Sequence, residues 1–151
     1  MDLDLFFARE LACYGVTILP ERVIKNDSFL SWSNRSGWLL SVGVDLYGPN
    51  RLEAIAVQLG RLALKQEFWR SGWREDRLIR REWMAAYEWA AERLIPAKLV
   101  TRARRLGWES WELAEAAGVT MGLAWARWRL EEKRLGRIVE FPCFLNLEVQ
   151  P

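Results

Sequence analysis

The spacing of hydrophobic residues changes from a helical to a strand period within the first 44 residues. An apolar stripe at helical spacing opens the chain, and Gly15 is placed to end that helix. Residues 16–19 are short and β-branched, which predicts a strand closed by Pro20. Residues 29–44 predict a hairpin with its turn at 33–37, after which Trp38, Leu40 and Val42 alternate with the other side chains, so that one face is buried.

Helical spacing dominates from residue 48 to residue 134. The break at Gly48 and Pro49 starts a helix, a break at 71–72 ends it, and a second long helix is expected over 75–95, before Pro96. A short basic helix is expected over 97–106, and two further helices over 109–117 and 121–134, with Thr120 as the cap of the last. Residues 137–149 favour edge strands or a docked tail. The pattern predicts one α+β domain over 1–151, with a C-terminal tail over 135–151 and a sheet of about three strands packed by five or six helices.

Length and composition fit this picture. The chain has 151 residues, of which 51% are hydrophobic and 28% charged, as expected for a globular domain rather than a disordered chain. No apolar run approaches the ~20 residues of a membrane span. Asp2 and Asp4 stand where a signal peptide carries basic residues. We therefore expect a cytoplasmic protein without a membrane partner.

The counts of histidine and cysteine exclude several kinds of site. The chain contains no histidine, which rules out Ser-His-Asp and Cys-His catalysis and every zinc site that uses imidazole. Its two cysteines, Cys13 and Cys143, form no CxxC pair, and we expect both to be buried free thiols. No metal or cofactor is expected.

Tryptophan and arginine are unusually frequent, and the positive charge is uneven. There are 10 Trp, and Arg outnumbers Lys 18 to 4. Residues 61–105 carry a net charge of +6, whereas each flank sums to −2. Two basic stretches account for the excess; the first holds Arg70, Arg74, Arg77, Arg80 and Arg81, and the second Lys98, Arg102, Arg104 and Arg105. Each is either a solvated helix face or a docking surface for an acidic protein or for nucleic-acid phosphate. Base composition of the genome would also explain the enrichment.

Three helical segments carry a more specific pattern. The first reads Ala-Val-Gln-Leu-Gly-Arg-Leu-Ala over 56–63, and the second ends in Trp-Ala-Ala-Glu-Arg-Leu-Ile-Pro over 89–96. The third reads Leu-Ala-Glu-Ala-Ala-Gly-Val-Thr over 113–120 and is followed by an Arg-Leu pair at 129–130. In order and spacing, this series resembles the ImmA/IrrE family of small zinc peptidases over about residues 50 to 130. That family has a His-Glu-Leu-Gly-His helix, a helix ending in Trp-Ala-x-x-x-Leu-Ile-Pro, and a Leu-Ala-Glu turn. The resemblance implies a zincin-like core.

The departures from the family pattern fall on its chemistry. Val57, Gln58 and Arg61 stand where the family has His, Glu and His, and Trp83 stands where it has its third ligand, a Glu. Valine has no ligand atom, an amide cannot take a proton as a carboxylate does, and a guanidinium repels a divalent cation. The resemblance therefore implies a pseudo-peptidase with no metal site, in which these four positions are vestigial.

What the resemblance implies about function is binding without cleavage. The expected partner is a helix-turn-helix repressor encoded on a phage or mobile element, held or sequestered by the chain. The expected partner-binding residues are Gln58, Arg61, Trp83, Arg77, Arg80 and Arg81.

Two alternatives come from the residues themselves. The segment 109–134 resembles a helix-turn-helix, which would make the protein a DNA-binding transcriptional regulator, although the start of its second helix carries few polar groups. An enzyme of another chemistry would need acidic pairs such as Glu82 with Glu88, which lie in no recognisable motif.

Overall fold

A computed structural model describes residues 3–22, 27–66 and 76–137, with side chains from residue 7 onward in the first stretch and from residue 80 onward in the last. Its elements follow the predicted order. They are α1 (Leu3–Tyr14), β1 (Val16–Glu21), β2 (Ser28–Ser33), β3 (Gly37–Gly43), α2 (Gly48–Ala63), α3 (Asp76–Leu94), α4 (Ala97–Leu106), α5 (Ser110–Ala117) and α6 (Met121–Arg134). The α+β class, the three strands and the six helices agree with the prediction for the part of the chain that is described.

The sheet is mixed, with strand order β1-β3-β2. β3 pairs in parallel with β1 and antiparallel with β2, so that Ile18, Leu40 and Leu30 lie side by side in one row. Leu40 and Val42 are fully buried, as the alternation predicted, and Ser41 on the other face is also buried. β1 continues through Pro20 to Glu21, beyond the predicted end, since an edge strand tolerates a residue without an N–H.

Two hydrophobic clusters form the core, and α2 contributes to both. Its Ile55 and Leu59 pack with Leu40 and Val42 of the sheet. Other residues of α2 join a larger cluster built with α3, α4, α5 and α6. As a consequence, every residue from 55 to 60 is buried, not only the apolar stripe expected from the periodicity.

Some predictions from the sequence differ from the structure, and others concern residues outside the described part of the chain. Cys13 is exposed, contrary to the buried thiol expected, because Phe7, Leu11 and Tyr14 occupy the packed side of α1. Val44 lies beyond β3 and is exposed. Cys143, the break at 71–72 and the tail expected over 137–149 lie outside the described residues, apart from Arg137. None of the described helices combines the length and apolar character needed to cross a membrane.

Candidate functional site

The close crossing of α2 and α3 brings the motif positions together. Gly60 faces α3, and a Cβ atom built there would lie 2.7 Å from the carbonyl oxygen of Ala86 and 3.1 Å from the ring of Trp89. Only glycine fits this approach, because the nearest atoms include backbone that cannot swing away. The small Ala86 and Ala90 of α3 are fully buried beside it. Close packing of α2 against α3 therefore explains the glycine of the Leu-Gly pair in the sequence motif.

Gln58 is buried and ties α2 to the edge strand β2. Its Nε2 donates to the backbone oxygen of Ser28 at 2.9 Å and lies 3.4 Å from the Ser28 hydroxyl oxygen. That hydroxyl in turn donates to the carbonyl oxygen of Ala54 on α2. Gln58 is only 3% exposed, so its amide is used inside the molecule.

Arg61 and Trp83 meet across the two helices. The Arg61 guanidinium carbon lies 4.5 Å from the centre of the Trp83 ring, which is a cation–π contact. Nη1 of Arg61 donates to Oε1 of Gln58 at 3.4 Å, so the three polar or aromatic side chains form one connected group. Val57 is buried in the helical cluster against which Trp83 packs. Three of the four positions singled out by the motif, namely Gln58, Arg61 and Trp83, are thus neighbours at the α2–α3 crossing.

The chemistry of this group is limited by its residue types. It offers an alkyl group, a hydrogen-bonded amide, a guanidinium and an indole, and none of these is a carboxylate, a thiolate or an imidazole. The positive guanidinium at its centre opposes a divalent cation. Among the described residues, no group of three or more Asp, Glu, Cys or His side chains is arranged to hold a metal. These side chains do not fit a zinc site of the His, His and Glu type.

The basic residues expected to bind a partner are only partly described. Arg80 and Arg81 are exposed on α3, three and two residues before Trp83. Arg77 lies in the first turns of α3, but its side chain is outside the described part, as are Arg70 and Arg74.

A polar cluster that the sequence analysis missed joins α2, α3 and the start of α6. The Tyr87 hydroxyl donates to Oε1 of Glu53 at 2.6 Å, and the Thr120 hydroxyl donates to the other carboxylate oxygen. Thr120 also accepts from the Leu123 N–H, which confirms its predicted role as the cap of α6. Burial, together with the negative charge and hydrogen bond of Glu53, raises the pKa of Tyr87 far above its usual range. No sequence signal marked Glu53, because its partners lie 34 and 67 residues away.

The helix pair α5–α6 is joined by a short turn, as predicted, and the basic side chains of α6 are paired with carboxylates of α3 and α6. Arg127 is 1% exposed and donates to the carbonyl oxygen of Ile95 and to Glu131. Lys133 and Arg129 contact Glu88, and Arg134 pairs with Glu92 and Glu131. The first turn of α6 contains Met121, Gly122, Leu123 and Ala124, which offer no side-chain group for reading base edges. The structure therefore adds no support for DNA readout by residues 109–134. Glu82 and Glu88 are the acidic pair considered for an enzyme of another chemistry. The carboxylate of Glu88 accepts a hydrogen bond from Lys133, which gives it a structural role.

The chain matches no protein-family model, and neither a curated protein nor a solved structure is significantly similar to it.

Proposed function

We propose that this protein is a non-catalytic relative of the ImmA/IrrE peptidases that acts in the cytoplasm by binding a helix-turn-helix repressor-type protein. The observation that carries the proposal is the contact between Arg61 and Trp83. These residues are 22 positions apart in sequence, and the family pattern places both at one metal centre. Their cation–π contact at 4.5 Å supports the proposal, because a family scaffold with replaced ligands would bring these two side chains together.

The scaffold side of the proposal rests on Gly60 and its surroundings. The family motif has glycine at this position, and here glycine allows the α2–α3 approach that a Cβ would block. The helix pair, the preceding sheet and the edge strand β2 beside α2 supply the framework that we interpret as a zincin-like core. The turn between α5 and α6 matches the third motif in its place in the chain.

The binding side of the proposal rests on accessibility. Arg61 and Trp83 are half-buried, and Arg80 and Arg81 are exposed on the same helix as Trp83. Gln58 acts from inside, where it holds Arg61 through its amide oxygen. A partner segment with acidic and apolar side chains would meet a guanidinium and an indole that are held in place by packing, which lowers the entropy lost on binding.

Restoring the metal ligands tests the family assignment. We expect the triple variant Val57→His, Arg61→His and Trp83→Glu to bind one cobalt(II) or zinc ion per chain, measured by elemental analysis and by the visible absorption of tetrahedral cobalt(II). The matched control replaces the same three residues by alanine, which removes the same side chains without adding ligands. If both variants fold and neither binds metal, the positions do not form the ligand set of a zincin-like core.

Partner binding is tested with variants of the half-buried Arg61 and Trp83. The wild-type chain and the variant Arg61→Ala with Trp83→Ala serve as baits in the native host, and any regulator recovered is purified and titrated against both. We expect the variant to lose at least tenfold in affinity, since Trp and Arg dominate binding energies at such surfaces. The control variant Trp32→Ala removes an indole that is 60% exposed on β2 and should bind as the wild type does. Recovery of the same regulator with equal affinity by all three chains would place the interface elsewhere.

A further inference from the structure

The exposed face of α4 carries three cations that the proposed function does not use. Lys98, Arg102 and Arg105 are all exposed, whereas Val100 and Ala103 on the opposite side are buried. At 100° per residue, the three cations fall within an arc of about 60° on the helix surface, and they span about 10 Å along its axis. We define this set of three residues as the α4 face.

Ion pairing among the described residues does not account for the α4 face. α4 contains no acidic residue, and its fourth cation, Arg104, pairs with Glu132 at 2.6 Å. Within the described part of the chain, Lys98, Arg102 and Arg105 make no ion pair. Their charges are therefore directed to solvent.

Helix stability accounts for only part of this arrangement. Arg105 lies in the last turn of α4, where a cation is favoured by the helix dipole. Lys98 lies in the first turn, where the same dipole opposes a cation and where no acidic residue compensates. A row of like charges along one face also repels itself. The row of three thus has a cost that an anionic partner would offset.

The aromatic environment distinguishes between kinds of nucleic acid. The guanidinium carbon of Arg102 lies 5.8 Å from the centre of the half-buried Trp108 ring, which is a cation–π contact. Single-stranded nucleic acids are bound mainly by stacking of bases on open aromatic rings. α4 itself contributes no aromatic side chain to its row of cations, which suits a rigid, dense array of phosphates, and duplex DNA carries one negative charge per about 1.7 Å of its axis.

We propose that the α4 face binds the phosphate backbone of duplex DNA without reading its sequence. The surface is separate from α6, whose basic side chains are held by Glu88, Glu92 and Glu131. It is also independent of the Arg61–Trp83 group, so it stands if the protein partner is a different one.

The test is fluorescence anisotropy of a labelled duplex of about 20 base pairs, titrated with the full chain between 50 and 200 mM salt. Three phosphate contacts predict a slope of about −2.7 for log K against log salt, which is a loss of roughly 40-fold across this range. Arg105→Gln alone should reduce the slope by about 0.9. Changing the base sequence of the duplex should leave affinity unchanged.

A matched control separates the α4 face from net charge. The triple variant Lys98→Gln, Arg102→Gln and Arg105→Gln lowers the net charge by three and should bind at least tenfold more weakly at 50 mM salt. The control variant lowers it equally through three exposed arginines outside α4, namely Arg9→Gln, Arg22→Gln and Arg35→Gln, and should bind as the wild type does.

Four results would overturn the proposal. They are equal weakening in both triple variants, no binding of the wild type at 50 mM salt, tighter binding of single-stranded than of duplex DNA, and binding of polyglutamate in place of DNA. The last would identify an acidic protein as the partner of the α4 face.

Discussion

At the scale of single residues, positions inside helices have roles that hydrophobic periodicity does not reveal. Gly60 has poor helix propensity, yet it is placed where α2 and α3 come closest. Gln58 is polar, yet it is among the most buried residues of α2 because Ser28 accepts its hydrogen bonds. In each case, a contact distant in sequence decides which residue fits.

Gly60→Ala should therefore lower the free energy of unfolding by about 1–3 kcal/mol, because the added methyl group would overlap the Ala86 carbonyl. Urea denaturation measures the change. Gly122→Ala is the comparison, since a Cβ there lies 3.3 Å or more from side-chain atoms of Tyr87, Glu53 and Thr120. Its loss should be smaller, and an equal or greater loss would contradict the close approach at Gly60.

The raised pKa of Tyr87 predicts that the free energy of unfolding falls at alkaline pH. Its pKa in the folded state is raised by burial and by Glu53, whereas in the unfolded chain it is about 10. Below pH about 10 the phenol is protonated in both states, and its contribution is complete. Above that pH only the unfolded chain loses the proton, so the free energy of unfolding falls by up to about 1.4 kcal/mol per pH unit.

The variant Tyr87→Phe isolates this effect in urea titrations between pH 8 and 11. It should be less stable than the wild type at pH 8 by about 1–2 kcal/mol, since Glu53 loses a donor, and the difference should shrink as the pH rises above 10. Tyr47→Phe, at a residue 79% exposed, should follow the wild type. A constant difference between Tyr87→Phe and the wild type would contradict the raised pKa.

At the scale of elements, α6 is fixed to the rest of the helical core by ion pairs. It packs along α3 and is tied to it by Lys133 with Glu88 and by Arg134 with Glu92. Arg127 is buried between α6 and the end of α3, where it donates to the Ile95 carbonyl. These contacts make α6 a structural helix of the core.

Arg127→Ala should lower the free energy of unfolding by about 3–5 kcal/mol, because it leaves the Ile95 carbonyl without its side-chain donor, removes one of the two arginines paired with Glu131, and opens a cavity. Arg134→Ala removes an arginine of the same helix that is 48% exposed, and it should cost at most about 1 kcal/mol. Both are measured by urea denaturation. If both variants lose a similar free energy of unfolding, the buried hydrogen bonds of Arg127 do not stabilise the fold more than a surface ion pair does.

At the scale of the whole molecule, local patterns were sufficient for the elements but not for their side-chain contacts. The stripe in α2, the hairpin around residues 33–37 and the Thr120 cap follow from spacing and turn residues, because their causes are local. The contact between Arg61 and Trp83 joins residues 22 positions apart, so local spacing does not predict it. Only the family resemblance suggests that these two positions lie close together. The Glu53–Tyr87–Thr120 cluster had no such guide, and neither did the burial of Arg127.

The position of α2 between the sheet and the other helices has a consequence for dividing the chain. One side of this helix completes the β-rich half, and the other side completes the helical half. A truncation on either side of α2 would leave an apolar surface in water on the half that lost it. Both halves therefore need α2 to bury their apolar surfaces, and we expect neither half to fold without this helix.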